Sequence, residues 1–189
     1  MKKAFLSFVF LLSALFTQAQ DCQYTTITGA DGAEIKSTKE SLMFEKVFGG
    51  TSTFIFFSLT NSDGIPVLSF QLLSKSTDFS KAYCFDKNSK IYVQLLNGKI
   101  ITLMSINESN CSNMVYDGNE KKNIGVLTGN FLFTKGSMEE LEKSPIAFIR
   151  IKYSGETADY PISREIKSET MGTTYNPENY FINNLKCIE

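Results

Sequence analysis

The chain has 189 residues, with 19 lysines and arginines, 20 aspartates and glutamates, and a formal net charge of −1. It contains no histidine, which excludes Ser-His-Asp and Cys-His nucleophilic catalysis and removes the commonest zinc and copper ligand. No cluster of lysines or arginines stands out, so nothing in the charge pattern predicts nucleic-acid binding.

The N-terminus has the pattern of a secretory signal peptide over residues 1–19. Lys2 and Lys3 precede an apolar run at residues 4–16, and Thr17 and Ala19 are the small residues before a cleavage site. The run is too short to span a bilayer, which needs about 20 residues. We therefore expect a periplasmic or secreted protein, with residues 20–189 forming a single β-rich domain and no membrane span after cleavage.

The rest of the chain alternates turn dipeptides with runs rich in Phe, Ile, Val, Tyr and Thr. This alternation is typical of an antiparallel β domain. The dipeptides that favour a positive φ are Asp31-Gly32, Asp63-Gly64, Asn97-Gly98 and Asp117-Gly118.

Residues 52–73 predict one hairpin particularly well. A two-residue loop at Asp63-Gly64 places Pro66 opposite Asn61, at a non-hydrogen-bonded site where its missing N–H costs nothing. The same register gathers six apolar side chains on one face, since strand side chains alternate. The predicted apolar pairs are Leu59 with Leu68, Phe57 with Phe70, and Ile55 with Leu72.

A second hairpin is predicted around Asn97-Gly98. A two-residue loop there pairs Leu95 with Ile100, Val93 with Thr102, and Ile91 with Met104, and both faces of this ribbon are fairly apolar. Continued outwards, the register places Cys84 opposite Cys111. Residues 86–89 and 107–110 look like turns, so we expect the ladder to break before it reaches the cysteines.

Four cysteines in an exported chain of this size predict two disulfides, for which three pairings exist. The hairpin favours Cys84 with Cys111. Cys22 with Cys187 then joins the two ends of the mature chain, which often lie close together in domains. A metal or redox site is disfavoured because no CxxC motif occurs.

The C-terminal half predicts further strands and two helices. Residues 124–133 form a strand with Gly129 as a candidate bulge, and Ser137 with Glu140 matches a capping box before a short helix at 138–143. A strand at 147–153 places Ile149, Ile151 and Tyr153 on one face, and Ala158, Tyr160 and Ile162 face it from the next segment. Residues 167–175 read as a loop. Asn176 then caps a helix over 177–188 that carries Phe181, Leu185 and Ile188 on one side.

Several residues are candidates for a functional site, but no motif selects one. The carboxylates available for acid–base chemistry are Glu34, Glu40, Glu45, Asp78, Asp86 and Asp159. The tyrosines that could bind a carbohydrate or peptide are Tyr83, Tyr92 and Tyr116. Residues 107–123 are the candidate protruding loop of an inhibitor, and Asn107 and Asn110 lie in glycosylation sequons that suggest exposure.

The segment GVLTGNFLFTKGSMEELEKSPIAFIRIKYSGETADYPI, with FINNLKCI near the end, resembles a group of small uncharacterised exported proteins of Gram-negative bacteria. The shared pattern is a strand ending in F-x-x-T-K, a short Glu/Leu helix, Ser-Pro, then I-R-I-x-Y and a tight turn. The resemblance covers roughly the C-terminal half. It implies export and a β-rich fold, and it implies no catalytic or binding residue.

We therefore expect a mainly β protein, a single antiparallel sandwich or open barrel, with one short inserted helix and a C-terminal helix. The expected function is a non-enzymatic binding or structural role towards a protein or glycan of the cell envelope, with no cofactor, metal or catalytic residue. The alternatives are an inhibitor of a secreted enzyme and a carboxylate-dependent hydrolase. The hydrolase would need two carboxylates about 5–10 Å apart in a cleft.

Overall fold

The structure is a computed structural model that describes residues 22–28, 34–79 and 81–188. The signal-peptide prediction and the Asp31-Gly32 turn lie outside these residues. The strands are β1 (Tyr24–Thr28), β2 (Glu34–Thr38), β3 (Ser41–Phe48), β4 (Thr51–Ser62), β5 (Ile65–Ser76), β6 (Cys84–Asp86), β7 (Lys90–Leu95), β8 (Ile100–Ser105), β9 (Ser109–Cys111), β10 (Asn113–Asp117), β11 (Lys122–Phe133), β12 (Ile146–Lys152), β13 (Thr157–Pro161), β14 (Ile166–Ser168) and β15 (Thr173–Tyr175). Helix α1 is Ser137–Leu141; helix α2 is Tyr180–Asn184, flanked by 3-10 turns at Pro177–Asn179 and Leu185–Cys187.

The predicted mainly β, antiparallel fold is confirmed. Eleven strands of the described chain form one large open sheet in the order β1-β2-β4-β5-β11-β8-β7-β12-β13, with β3 beside β4 and β10 beside β11. The pairs β6–β9 and β14–β15 form two small ribbons. Residues 167–175, predicted as a loop, therefore include most of the β14–β15 hairpin.

The β4–β5 hairpin has the predicted register throughout. Phe57 lies opposite Phe70, and Pro66 lies opposite Asn61. Asp63 and Gly64 both have positive φ, 51° and 81°, which is the backbone that a two-residue turn of this hand requires. The six predicted apolar side chains are all buried.

The predicted register of the β7–β8 hairpin is wrong by one residue. The structure pairs Ile91 with Leu103 and Val93 with Ile101. The amide of Leu95 donates to the carbonyl of Lys99, and Gly98 has a φ of 84°, so the loop contains three residues and ends on a left-handed glycine. This register puts Ile101 and Leu103 on the buried face, whereas the two-residue loop would turn them outwards.

Both disulfide pairings favoured by the sequence are present, Cys84–Cys111 and Cys22–Cys187. Cys84 and Cys111 face each other in the separate β6–β9 ribbon. The ladder does break between this ribbon and β7–β8, and a turn follows Asp86, whose carbonyl accepts from the Ser89 amide at 3.1 Å.

The β6–β9 ribbon lays Phe85 against Gly129 on the inner side of the sheet. A β-carbon on Gly129 would lie 2.6 Å from Cδ2 of Phe85, so the ring occupies the space of the missing side chain. The pairing of β11 with β5 runs through Gly129 without a register shift, and the predicted bulge is therefore wrong. Phe85 is fully buried against Phe131 and Tyr153, with ring centroids 5.1 and 5.3 Å away.

The sheet curls around one core, and the C-terminal helix packs against that core. Phe44 on β3 and Tyr160 on β13 belong to opposite sides of the strand order, yet their ring centroids are 5.1 Å apart. Phe181, Leu185 and Ile188 are buried, as predicted. The C-terminal helix is interrupted by its 3-10 turns and is not regular over 177–188.

Neither predicted helix cap forms as expected. Gly136 occupies the N-cap of α1, and the hydroxyl of Ser137 donates to the carbonyl of Thr134 at 2.6 Å. Asn176 precedes the C-terminal helix without a side-chain cap bond. In the β10–β11 loop the left-handed residue is Lys121, with a φ of 52°, and not Gly118, because this loop has four residues between the paired Asp117 and Lys122.

Candidate functional site

The outward face of strands β8, β7, β12 and β13 forms an open groove. On β7 and β12 the residues Val93 and Ile149 point into the core, so their neighbours point outwards. The groove encloses about 680 Å³. We call it the outer groove. By strand register, Gln94, Ile100 and Phe148 line one end, Lys152 and Thr157 line the other end, and Tyr92, Arg150 and Asp159 lie between them.

An ion pair lies at the centre of the outer groove. Nε and Nη2 of Arg150 donate to the two carboxylate oxygens of Asp159 at 2.6 and 2.8 Å. The hydrogen bond between them lowers the pKa of Asp159 and raises the pKa of Arg150. The guanidinium carbon also lies 5.9 Å from the ring centroid of Phe148. The strand register places Arg150 directly between Asp159 and Tyr92, so three rigid strands fix this arrangement.

One end of the same face is basic. Lys90 on β7 lies directly opposite Lys152 on β12, and both belong to the outward-facing set that includes Tyr92 and Arg150. Among the residues that the structure describes, neither lysine forms an ion pair. The face therefore carries three cations and one carboxylate.

A second groove, of about 470 Å³, lies on strands β4, β5 and β11. Some of its polar side chains bond to groups within the groove: the hydroxyl of Ser69 donates to Oδ1 of Asn130 at 3.0 Å, and Nδ2 of Asn110 donates to the backbone carbonyl of Thr128 at 2.7 Å. These polar groups of the second groove therefore already have partners within the protein.

A third surface is apolar and lies on the exposed strand β10. Met114, Val115 and Tyr116 line it together with Phe79, which is 94% exposed. Tyr116, one of the three predicted candidate tyrosines, lies here. Tyr92 lies in the outer groove, while Tyr83 packs on Tyr153 with ring centroids 4.6 Å apart.

The outer groove and the second groove each have one candidate carboxylate in their lining. Glu40 lines the second groove, and Asp159 lines the outer groove. Asp86 belongs to the turn after β6, where hydrogen bonds from the Ser154 side chain and the Asn88 amide lower the pKa of its carboxyl group. Within the described ranges, no three Asp, Glu, Cys or His residues form a group that could hold a metal ion.

The candidate inhibitor loop, residues 107–123, is folded. It contains β9 and β10, and only the turn between Asp117 and Lys122 projects from them. The sequon asparagines fill a gap between β10 and β8 along the edge of β11: Nδ2 of Asn107 donates to the carbonyl of Asn130 at 3.2 Å, next to the bond from Asn110. Both asparagines are half-buried and Asn110 lies in β9, so the sequons are less exposed than the sequence suggested.

Sequence reasoning named Tyr92 and Asp159 but missed Phe148, Arg150 and the lysine pair. The signal for Phe148 and Arg150 was present, because the predicted strand at 147–153 has Ile149 and Ile151 on its buried face. What the sequence does not show is that β7 lies beside β12, which brings Tyr92 to Arg150.

Comparison with known protein families, curated proteins and solved structures gave no match. The resemblance to exported Gram-negative proteins therefore stays a prediction. No helix in the described part of the chain is long and apolar enough to cross a membrane. The two disulfides are consistent with folding outside the cytoplasm.

Proposed function

We propose that this chain is an exported, non-enzymatic binding domain, periplasmic or secreted, and that the outer groove is its binding surface. One observation supports the proposal most: the rings of Tyr92 and Phe148 lie beside the Arg150–Asp159 pair in a groove of about 680 Å³. Binding sites typically combine apolar and aromatic lining with a few fixed polar groups.

The outer groove gives little support to a hydrolase. A glycosidase-like mechanism needs a second carboxylate and an acid with a raised pKa. Asp159 is the carboxylate that lines the groove, and the hydrogen bond from Arg150 lowers its pKa. The inhibitor alternative has less support than binding at the groove, because its candidate loop is largely built into β9 and β10.

The experiment compares two tyrosine variants of the oxidised protein. Tyr92→Ala removes a ring from the outer groove, and Tyr116→Ala removes an exposed ring from β10 as a matched control. Each protein is immobilised, and the retention of soluble polysaccharides and peptides from a bacterial envelope is measured after thermal unfolding has shown that both variants are folded.

The proposal predicts that Tyr92→Ala loses a retained component that Tyr116→Ala keeps. The same component should be lost in Phe148→Ser. Equal retention by wild type and both groove variants would contradict the proposal. Loss in Tyr116→Ala alone would assign binding to β10 instead.

A further inference from the structure

Lys152 at one end of the outer groove and Lys90, which lies beside it on the same face of the sheet, are unfavourably placed for the protein alone. Lys90 and Lys152 are directly opposite each other on neighbouring strands, where like charges destabilise a sheet. No carboxylate of the described chain pairs with either of them. The nearby Asp159 is held by Arg150 through two hydrogen bonds. A ligand with negative charge would relieve this repulsion.

The charge of the groove also differs from that of the whole chain. Arg150, Lys90 and Lys152 make this face positive, whereas the chain has a formal net charge of −1. A local positive charge on an acidic protein attracts anions to that part of the surface, and salt screens this attraction.

The position of the groove argues for side-chain recognition. The backbones of β7 and β12 are paired on both edges, β7 with β8 and β12, and β12 with β7 and β13. An extended peptide therefore cannot add to the sheet as an extra strand beside β7 or β12, and β13 is the edge strand of this face. A ligand over β7 and β12 must contact the side chains of the face itself.

The side chains on this face suit sugar rings. Tyr92 and Phe148 present aromatic groups, while Gln94 opposite Phe148 and Thr157 opposite Lys152 offer hydrogen-bond donors and acceptors. A sugar ring has an apolar C–H face and a polar rim, which matches this alternation. Four strands at about 4.8 Å spacing give a face about 14 Å across, long enough for a short oligosaccharide.

We infer that the outer groove binds an anionic polysaccharide, with sugar rings on Tyr92 and Phe148 and acidic groups at Lys90 and Lys152. This inference rests on the proposed function and adds the chemical class of the ligand. The rings supply shape and contact, and the lysines select for negative charge.

The test measures binding of the oxidised, full-length mature chain to four defined probes by calorimetry. Polygalacturonate carries carboxylates on sugar rings, dextran sulfate carries sulfates, dextran is a neutral glycan and poly-glutamate is an acidic peptide. The variants are Lys90→Gln, Lys152→Gln and Tyr92→Ala. Lys121→Gln, in the β10–β11 turn, is the matched lysine control.

Polygalacturonate, dextran sulfate or both should bind, and dextran should not. Each groove lysine variant should weaken binding up to about fivefold, the upper range for an exposed ion pair, and Tyr92→Ala by about tenfold. Lys121→Gln should bind as wild type does. A choice between the two charged glycans identifies the acidic group.

Four results would overturn the inference. If dextran binds as tightly as the charged glycans, charge has no role. If poly-glutamate binds and Tyr92→Ala does not weaken that binding, sugar rings have no role. If no probe binds but Tyr92→Ala still loses an envelope component, the ligand class is wrong and the proposed function stands. If the groove variants change neither probe binding nor envelope retention, both the ligand class and the proposed function are wrong.

Discussion

Replacing Gly129 by alanine should destabilise the protein by about 2 kcal/mol, because the new methyl group would enter the ring of Phe85. The added carbon would lie 2.6 and 2.8 Å from two ring carbons, about 1 Å closer than carbon atoms normally pack. The ring cannot move away easily, since Phe85 is fully buried and stacked on Tyr153 at 5.3 Å.

The magnitude follows from two opposing effects. Overpacking a core by one methyl group costs about 1–3 kcal/mol, and a rigid ring favours the upper end. Replacing glycine lowers the entropy of the unfolded chain and returns about 0.4–1 kcal/mol. A net loss of about 2 kcal/mol would lower the Tm by about 4–8 °C in a protein of this size.

The assay is denaturant and thermal unfolding of four oxidised variants: Gly129→Ala, Gly125→Ala, Phe85→Leu, and Gly129→Ala combined with Phe85→Leu. Gly125→Ala is the matched control on the same strand, because its new carbon would meet Sδ of Met114 and Oγ of Ser74, the ends of side chains that can rotate. Phe85→Leu removes the ring, so Gly129→Ala should cost much less in that background.

A clash with Phe85 would be contradicted if Gly129→Ala costs no more than Gly125→Ala. An equal penalty for Gly129→Ala with Leu at position 85 would also contradict it, since the clash would then lie elsewhere.

Three further predictions concern the disulfide, the buried hydroxyls and the edge of β11. Removing the Cys84–Cys111 bond by Cys84→Ser with Cys111→Ser should cost about 3–4 kcal/mol in denaturant titrations, given its sequence separation of 27; a loss below about 1 kcal/mol would contradict this. Burial raises the pKa of Tyr160 to about 12, above the unfolded value of about 10, so unfolding free energy should fall as pH rises from about 10 to 12. That fall should be smaller in Tyr160→Phe, and an unchanged profile would refute the assignment. Asn110→Asp turns the donor that bonds Thr128 into an acceptor and should cost about 1 kcal/mol in thermal unfolding, whereas wild-type stability would show that the bond is dispensable.

The two central hairpins show why one register could be predicted from sequence and the other could not. In β4–β5, only one face is strongly apolar, and the Asp63-Gly64 turn and Pro66 agree with that face. In β8, the apolar residues Ile100, Ile101, Leu103 and Met104 lie on both faces. A shift of one residue therefore leaves a plausible pattern, and a three-residue loop ending at Gly98 fits the same dipeptide.

The outer groove was only partly predictable for a different reason. Strand alternation identifies Phe148 and Arg150 as outward-facing, and the tight turn after β12 brings Asp159 close to Arg150. The contact between β7 and β12 joins segments more than 50 residues apart in the chain, and no local pattern encodes it. Long-range strand order depends on the packing of the whole core.

The contacts among the buried aromatic residues could not be predicted from the periodicity of the sequence either. A glycine inside a strand, such as Gly129, ordinarily predicts a β-bulge. The observed reason for the glycine is Phe85, a residue from a separate ribbon held by the Cys84–Cys111 bond. The cysteines are thus part of the scaffold, since they fix the ribbon that fills the space beside Gly129.

The most direct test of the central claim is an NMR titration of the ¹⁵N-labelled, oxidised protein with oligogalacturonate. Binding at the outer groove predicts that the amide shifts of Tyr92, Arg150 and Lys152 change together and saturate, while those of Val115 and Tyr116 on β10 stay constant. Shifts confined to β10 or to the second groove would contradict the account, and so would the absence of shifts with both oligogalacturonate and a sulfated dextran oligosaccharide.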